Sequence, residues 1–273
     1  MSMTRREFVR RMGVGAALAM AAPLGVRAAE RPIRLFNGKN LDGWYSYTVQ
    51  TKGENPGIFT AVDGMLRVAG GSGDTAFYGG LVTKKAYENY KLTFEYKWSG
   101  PTYGVRKEKA RDSGVMIHCV GPNEPGPWMT SYEYQIIEGG TGDVLVVPCN
   151  GSVDDAGKPV KIELTAEIVK DGKQTIWKEG GEKTVFPRGR VNWYGRDPEW
   201  KDALGFRGRQ DVEGKLGEWT RCEAVCKGDT LAYYVNGKLV NKAFALSVTR
   251  GKLLIQTEGA ECWYRNIELA PLG

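Results

Sequence analysis

The sequence predicts an all-β domain of the β-sandwich or jelly-roll type. Short segments in which apolar and polar residues alternate recur along the chain, and turn signals rich in Gly, Asp and Asn separate them. After the first 28 of the 273 residues, no segment has the periodicity of a long amphipathic helix, and no internal repeat occurs. The remaining 245 residues suffice for one large domain with a two-layer core.

The N-terminal segment is predicted to be an export signal and not part of the fold. Arg5-Arg6 is a twin-arginine pair, the apolar run 12–24 follows it, and Val26-Arg27-Ala28 has the small-x-small pattern of a cleavage site. The apolar run is shorter than the roughly 20 residues that cross a membrane. An amphipathic helix is the alternative. We expect a twin-arginine signal over 1–28, a sandwich over 29–273, and a periplasmic or extracellular location.

Net charge argues against a nucleic-acid partner. The whole chain carries a formal charge of +6, and the first 28 residues contribute +4 of it through five arginines and one glutamate. Only +2 remains for the domain, which removes the main sequence argument for binding nucleic acid. No membrane partner is expected once the signal is removed.

The five cysteines give no metal or redox motif. Cys222 and Cys226 lie in one predicted strand about 13 Å apart, which is too far for a disulfide, and their spacing is not that of a zinc or redox site. We expect most cysteines to be small buried residues. A disulfide between distant strands stays open, because an oxidising periplasm would permit it.

The first half of the domain contains five predicted strand segments. The run 33–36 opens the fold, and 58–69 is predicted to be a hairpin because Asp-Gly supplies the positive φ angles of a tight turn. In 90–98 every second residue is large and apolar, as in a half-buried antiparallel strand. The runs 114–120 and 132–138 are predicted as strands on either side of a loop.

The second half continues the same pattern around one irregular region. The run 141–147 is a predicted strand, and 160–177 holds two weaker ones. The region 186–217 is rich in arginines and aromatics; a functional loop and a loop packed on the sandwich are equally compatible with it. The last predicted strands are 219–227, 230–235, 238–241 after the Asn-Gly hairpin turn, 252–258 and 262–269.

Residues with chemical potential concentrate in the stretch 112–138. It contains His118, the only histidine of the chain, together with Glu133 and Gln135. Alternation along a strand places Glu133 and Gln135 on one face, and Met116 with His118 on one face. If the two strands pair, about 5 Å apart, His118 is expected within reach of Glu133.

Three kinds of chemistry fit these residues. His118 and Glu133 could act as base and orienting partner in proton abstraction, although a lone histidine is also a common structural residue. Direct glycoside hydrolysis fits less well, because Glu133 and Glu138 are five residues apart and point to opposite faces of a regular strand. A divalent metal ion could be held by His118, Glu133, Asp112 and Glu258, although no ligand-spacing motif supports it.

The chain resembles the 3-keto-disaccharide hydrolase domain family. The matching segments span most of the domain in order: Leu35–Trp44 (LFNGKNLDGW), Asp112–His118 (DSGVMIH), Tyr132–Glu138 (YEYQIIE), Thr141–Val144 (TGDV), Gly217–Trp219 (GEW), Val235–Val240 (VNGKLV) and Leu254–Leu269 (LIQTEGAECWYRNIEL). The family often has Asn where this chain has Asp112, and Phe where it has Tyr264. The first difference bears on a ligand contact, whereas the second preserves the packing.

This resemblance implies a concanavalin A-like sandwich that acts on 3-keto-glycosides. A ketone at C3 acidifies the C2 proton; a base removes it, the C1 substituent leaves, and water adds to the product. By position, the catalytic residues implied are His118 and Glu133. The residues expected to bind substrate are Asp112, Gln135, Gln256, Glu258 and Arg265, with Trp128 and Trp263 as stacking platforms or as core residues.

Two other functions remain as alternatives at this point. The same sandwich could be a non-catalytic carbohydrate-binding domain, since fold does not fix function, or a direct two-carboxylate glycoside hydrolase. The expected ligand is in each case a small carbohydrate. No cofactor is predicted with certainty, a divalent metal ion is left open, and a pathway link to a sugar 3-dehydrogenase is an expectation.

Overall fold

The computed structural model describes residues 31–123, 126–149, 151–154 and 156–273, so the predicted export signal lies outside the described residues. Within these ranges the chain is almost entirely β-strand, with one short 3-10 helix at Gly104–Arg106. The strands in chain order are β1 (Ile33–Arg34), β2 (Trp44–Thr48), β3 (Phe59–Val62), β4 (Met65–Val68), β5 (Gly71–Ser72), β6 (Thr75–Ala76), β7 (Tyr78–Thr83), β8 (Tyr90–Thr102), β9 (Asp112–Val120), β10 (Thr130–Ile137), β11 (Val144–Val147), β12 (Leu164–Asp171), β13 (Gln174–Trp177), β14 (Glu182–Phe186), β15 (Gly189–Val191), β16 (Thr220–Lys227), β17 (Thr230–Val235), β18 (Lys238–Ala243), β19 (Lys252–Glu258) and β20 (Ala260–Pro271).

Two large antiparallel sheets form the sandwich, which confirms the predicted fold class. The eight-stranded sheet has the order β18-β17-β16-β8-β20-β4-β3, with β1 paired to β20. The seven-stranded sheet has the order β15-β11-β10-β9-β19-β7-β2. Two smaller sheets, β13-β12-β14 and β5-β6, flank them. None of the helices in the described ranges is long and apolar enough to cross a membrane.

The core lies between the two large sheets and follows from the alternation of apolar residues. Leu92, Phe94 and Tyr96 project inward from β8, as the sequence of that strand predicts, and are buried. Phe94 meets Tyr134 of β10 edge to face, with the ring centroids 5.4 Å apart. Because every second residue of β10 faces this core, its intervening residues must face outward.

The turn predictions are confirmed, and the cysteine prediction is confirmed in its main part. Asp63 and Gly64 have φ angles of 49° and 78° between β3 and β4, and Asn236 and Gly237 have 47° and 79° between β17 and β18. All five cysteines are free thiols, four of them buried and Cys149 half-buried. Strands that the sequence did not predict include β2, β7, β14 and β15, of which β7 and β15 bear on the site.

Candidate active site

The outer face of the seven-stranded sheet, turned away from the core, carries most of the predicted site residues. The strand register arranges its side chains in three rows that run across the strands. The first row is Val82, Leu254, Met116 and Glu133; the second is Gly80, Gln256, Gly114 and Gln135; the third is Tyr78, Glu258 and Asp112. The structure thus brings together five predicted residues: Asp112, Glu133, Gln135, Gln256 and Glu258.

A glycine at the centre of the second row leaves room for polar groups to converge. A Cβ atom placed on Gly114 would lie 2.5 Å from Oε1 of Gln256 and 2.6 Å from Oε1 of Glu133. Both side chains therefore reach over the backbone of Gly114 from the neighbouring strands β19 and β10. We call this polar cluster the hollow; it consists of Glu133, Gln256 and the backbone of Gly114, together with the neighbouring Gln135, Asp112 and Glu258 of the second and third rows.

Asp112 is the best-connected carboxyl group of the hollow. It accepts a hydrogen bond of 2.5 Å at Oδ1 from Nε2 of Gln135, and Nη2 of Arg106 lies 3.1 Å from its Oδ2. Nη2 of Arg190 donates to Oε1 of Gln135 at 3.0 Å, which fixes the orientation of that amide. Because Asp112 accepts from both an amide and a guanidinium group, these contacts favour its ionised form.

Two arginines that the sequence did not assign to the site hold this arrangement. Arg190 lies on the edge strand β15, and its Nη1 is 3.2 Å from Oδ2 of the buried Asp143. The same Oδ2 is 2.9 Å from Nη1 of Arg196. Arg106 comes from the short helix before β9 and is also paired with Asp202 at 3.2 Å. The available signals were the arginine-rich region 186–217 and the basic loop ahead of β9.

The carboxyl groups of the hollow have strongly perturbed proton affinities. Burial, reinforced by the nearby charge of Asp112, raises the pKa of Glu133 to about 8. Burial also raises the pKa of Asp112, and the adjacent Arg106 and Arg190 oppose that effect. The pKa of Glu258 is raised well above its usual range by burial and by the charges of Asp112 and Glu133. Carboxyl groups with different partners thus share the hollow, as in many acid–base sites.

The hollow also contains polar atoms without protein partners. Oε1 of Gln256 and Nε of Arg106 are buried and make no hydrogen bond within the described residues. Glu133 makes no ion pair among those residues; the charge of Arg190 and, to a smaller extent, the side chain of Gln256 lower its pKa, and burial outweighs both. An unmatched acceptor, an unmatched donor and an unpaired carboxyl group are the features expected where a polar ligand completes the site.

His118 does not join the hollow, so its predicted pairing with Glu133 is wrong. Strand β9 has a bulge here: the register with β10 shifts between Thr130 and Tyr132, and His118 has a φ of 53°. The extra residue reverses the alternation, so His118 no longer shares the face of Met116. Its ring contacts Tyr90 and Tyr132 on the core side, and its Nδ1 lies 3.1 Å from the carbonyl oxygen of Val248.

The environment of His118 is that of a structural residue. The side chain is fully buried, and burial lowers its pKa to about 4, although the hydrogen bond to the carbonyl of Val248 acts in the opposite direction. A neutral imidazole in the sandwich interior cannot contact a sugar on the outer face. The proposed metal site that combined it with Asp112, Glu133 and Glu258 is therefore also wrong, and within the described ranges no three His, Cys, Asp or Glu side chains form a metal-binding group.

Two further predicted binding residues lie on the other sheet. Trp263 and Arg265 belong to β20 of the eight-stranded sheet, where their side chains face outward. Arg265 pairs with Glu95 at 2.6 Å and stacks on Trp219, with its guanidinium carbon 4.1 Å from the ring centroid. The whole sandwich separates them from Glu133, so the prediction that they line the same site is wrong.

Trp128 and Glu138 have distinct positions. Trp128 is half-buried against Met116, Leu254 and other apolar residues of the outer face, so it lies on the same side of the sheet as the hollow.

Glu138 does not belong to the hollow. It binds Arg111, with its Oε1 2.7 Å from Nη1, and its carboxylate accepts a hydrogen bond from the backbone N–H of Gly205. Glu138 therefore anchors a loop, which agrees with the poor fit of the two-carboxylate pattern.

Comparisons with known proteins found solved structures that are similar to this chain. A candidate glycosyl hydrolase from Parabacteroides distasonis ATCC 8503 is 20% identical, covers 89% of this chain and 94% of its own, and superposes with a TM-score of 0.50. A second one from the same organism is 18% identical, with coverages of 89% and 100% and a TM-score of 0.48. The β-glucanase of Bacillus licheniformis is 13% identical, with coverages of 89% and 98% and a TM-score of 0.46. No curated protein matches the chain.

The first of these likenesses shows the shared fold, a jelly-roll β-sandwich. The class of protein is carbohydrate-active, and the match to a family model shows this. The chain belongs to the family of 3-keto-alpha-glucoside-1,2-lyase-like domains, whose model matches residues 31–270. The family resemblance seen in the sequence is thereby confirmed.

Proposed function

We propose that this protein cleaves 3-keto-glycosides by elimination across C1 and C2, with Glu133 as the base. The observation that carries the proposal is the position of the Glu133 carboxyl group. It is buried over Gly114, makes no direct ion pair within the described residues, and lies beside the unmatched acceptor of Gln256. A carboxylate of raised pKa is a stronger base than an ordinary one, which suits removal of a carbon-bound proton.

The reaction follows from the acidity that a C3 ketone gives to the C2–H bond. Glu133 takes the C2 proton, and the electron pair of that bond moves towards the ketone oxygen as an enolate. The enolate then forms the C1=C2 double bond while the bond from C1 to the leaving oxygen breaks. Addition of water, with hydroxide at C1 and a proton at C2, completes net hydrolysis of the glycoside.

The other groups of the hollow have complementary roles. Arg106 and Gln135 favour the ionised form of Asp112. Glu258, whose pKa is raised further by burial, is the proton donor to the leaving oxygen. The guanidinium group of Arg106, with its Nε unpartnered, stabilises the developing enolate oxygen. Oε1 of Gln256 accepts a hydrogen bond from a sugar hydroxyl group.

The proposal also includes where the protein acts and which reaction supplies its substrate. The twin-arginine pattern at Arg5-Arg6 supports export to the periplasm or beyond. A 3-keto substrate must come from a reaction that oxidises the C3 hydroxyl group of a glycoside, which is the reaction of a sugar 3-dehydrogenase. We therefore propose that the protein acts after such an oxidation.

The test compares two Glu→Gln variants on a 3-keto-disaccharide. Glu133→Gln removes the base, and we expect kcat to fall by about 10²–10⁴-fold, the usual contribution of general base catalysis. Glu95→Gln, on the outward face of the other sheet, is the matched control and should retain wild-type turnover. In deuterated water, the wild type should place deuterium at C2 of the product.

Two outcomes would reject the proposal. Near-normal turnover by folded Glu133→Gln would remove its proposed base. Binding of the 3-keto-disaccharide by the wild type without time-dependent release of the leaving group would instead favour a carbohydrate-binding domain.

A further inference from the structure

A groove of about 630 Å³ lies at the β15 edge of the seven-stranded sheet. The turn between β12 and β13 forms one wall, and the chain from Asn192 to Trp200 forms the other. Its size is within the range of small-molecule binding sites. None of the residues that the sequence assigned to the site lines it.

The groove and the catalytic hollow share one residue, Arg190. This side chain lines the groove, and its Nη2 also donates to Oε1 of Gln135 in the hollow. In the strand register, Glu133 is opposite Leu145 of β11, and Leu145 is opposite Arg190 of β15. Two strand spacings therefore separate Glu133 from Arg190, about 10 Å between Cα positions.

The lining of the groove is made for hydrogen bonding. It includes the polar side chains Lys173, Thr175 and Asn192, and the unpartnered buried oxygen Oε1 of Gln174. The amide nitrogen of Gln174 is already used, because it donates to the carbonyl oxygens of Asp197 and Pro198. Because its amide nitrogen is fixed, Oε1 of Gln174 can accept a hydrogen bond from a ligand.

The groove offers little to a flat apolar ligand. Trp200 is its only aromatic lining residue among those described, and the guanidinium group of Arg196 covers the indole ring at 3.9 Å from the centroid. The indole N–H is bound to the carbonyl oxygen of Glu138. A ligand rich in hydroxyl groups matches this lining better than an aromatic one.

We propose that this groove is the leaving-group subsite and that it binds a second sugar unit. The inference rests on the proposed function, because it takes Glu133 as the base at C2. The leaving oxygen is attached to C1, next to C2, so the leaving group must lie within one sugar unit of Glu133. Arg190 then separates the sugar that reacts from the sugar that departs.

The experiment compares two substrates that differ only in the leaving group, a 3-keto-disaccharide and the corresponding methyl 3-keto-glucoside. The double variant Lys173→Ala/Thr175→Val removes two hydrogen-bonding groups from the groove. We expect kcat/KM to fall about tenfold on the disaccharide and by less than about twofold on the methyl glycoside. Thr175→Ser alone keeps the hydroxyl group and should remain close to wild type.

Lys170→Ala is the matched control, since this exposed lysine lies on the same hairpin and outside the set of lining residues. Equal losses on the two substrates, or no loss on the disaccharide, would overturn the subsite. A wild type that prefers the methyl glycoside would do the same. A wild type that cleaves neither substrate would mark a failure of the proposed function itself, a result distinguishable from the others.

Discussion

Replacing Gly114 with alanine tests whether the hollow between Glu133 and Gln256 is the reaction site. The added methyl group would occupy the point where the two side chains converge, at 2.5 Å from one oxygen and 2.6 Å from the other. An ordinary van der Waals contact of a Cβ atom is 3.4–4 Å, so each oxygen must move by about 1 Å.

The expected magnitude follows from how little the rest of the fold is disturbed. A displacement of about 1 Å in a catalytic group costs on the order of 100-fold in rate, so we expect kcat to fall by that factor. The φ angle of Gly114 is not in the left-handed region, and the clashing atoms are the ends of flexible side chains. We therefore expect the free energy of unfolding to change by about 1 kcal/mol or less.

The assay is release of the leaving group from a 3-keto-disaccharide, measured beside urea unfolding of the same preparation. Gly126→Ala is the control, because a Cβ there would meet no atom closer than 3.9 Å. Turnover of Gly114→Ala within about threefold of wild type would refute the geometry of the site. A loss of activity with a matching loss of stability would instead assign Gly114 to the fold.

Two further predictions concern His118 and the buried carboxyl group of Glu133. We expect His118→Asn to lower the free energy of unfolding by about 1–3 kcal/mol and to leave the kcat of the folded enzyme unchanged, because asparagine tolerates the positive φ angle at this position. A folded variant without turnover would show that His118 belongs to the site. Glu133 keeps its proton up to about pH 8 in the folded state, but loses it near pH 4.5 in the unfolded chain, so its contribution to stability is complete below pH 4.5 and is lost as pH rises to 8. The gain in unfolding free energy of Glu133→Gln over wild type should therefore grow by about 3–4 kcal/mol between urea unfolding at pH 5 and at pH 8, and parallel pH profiles would contradict the buried placement.

The sequence was sufficient to predict that Glu133 and Gln135 share one face of their strand, because a regular strand alternates with a period of two. It also predicted the strand that carries Gln256 and Glu258, which pairs with the opposite edge of β9. The same argument failed at His118, since one extra residue in the bulge reverses the alternation. Alternation alone carries no information about where such a bulge occurs.

Arg265 and Arg190 show a second limit. Alternation assigns a side chain to one of two faces, but it does not assign the strand to one of two sheets. Arg265 was predicted to line the site, but it faces outward from the eight-stranded sheet, where it pairs with Glu95. Arg190 reaches Gln135 because β15 pairs with β11 although 41 residues of chain separate the two strands, a contact that only the folded topology creates.

The other buried acids of this protein sharpen the case for Glu133. Glu138 binds Arg111, and Asp143 binds two arginines and the backbone N–H of Trp193. Their negative charges are therefore balanced by contacts that hold the fold together. Glu133 instead lies in a row of apolar side chains with Met116 as its neighbour, and it makes no direct ion pair among the described residues. Burial of such a group destabilises the fold, and an apolar side chain would pack better in that row. A buried carboxyl group that destabilises the fold and makes no stabilising ion pair is best explained by a role in the reaction.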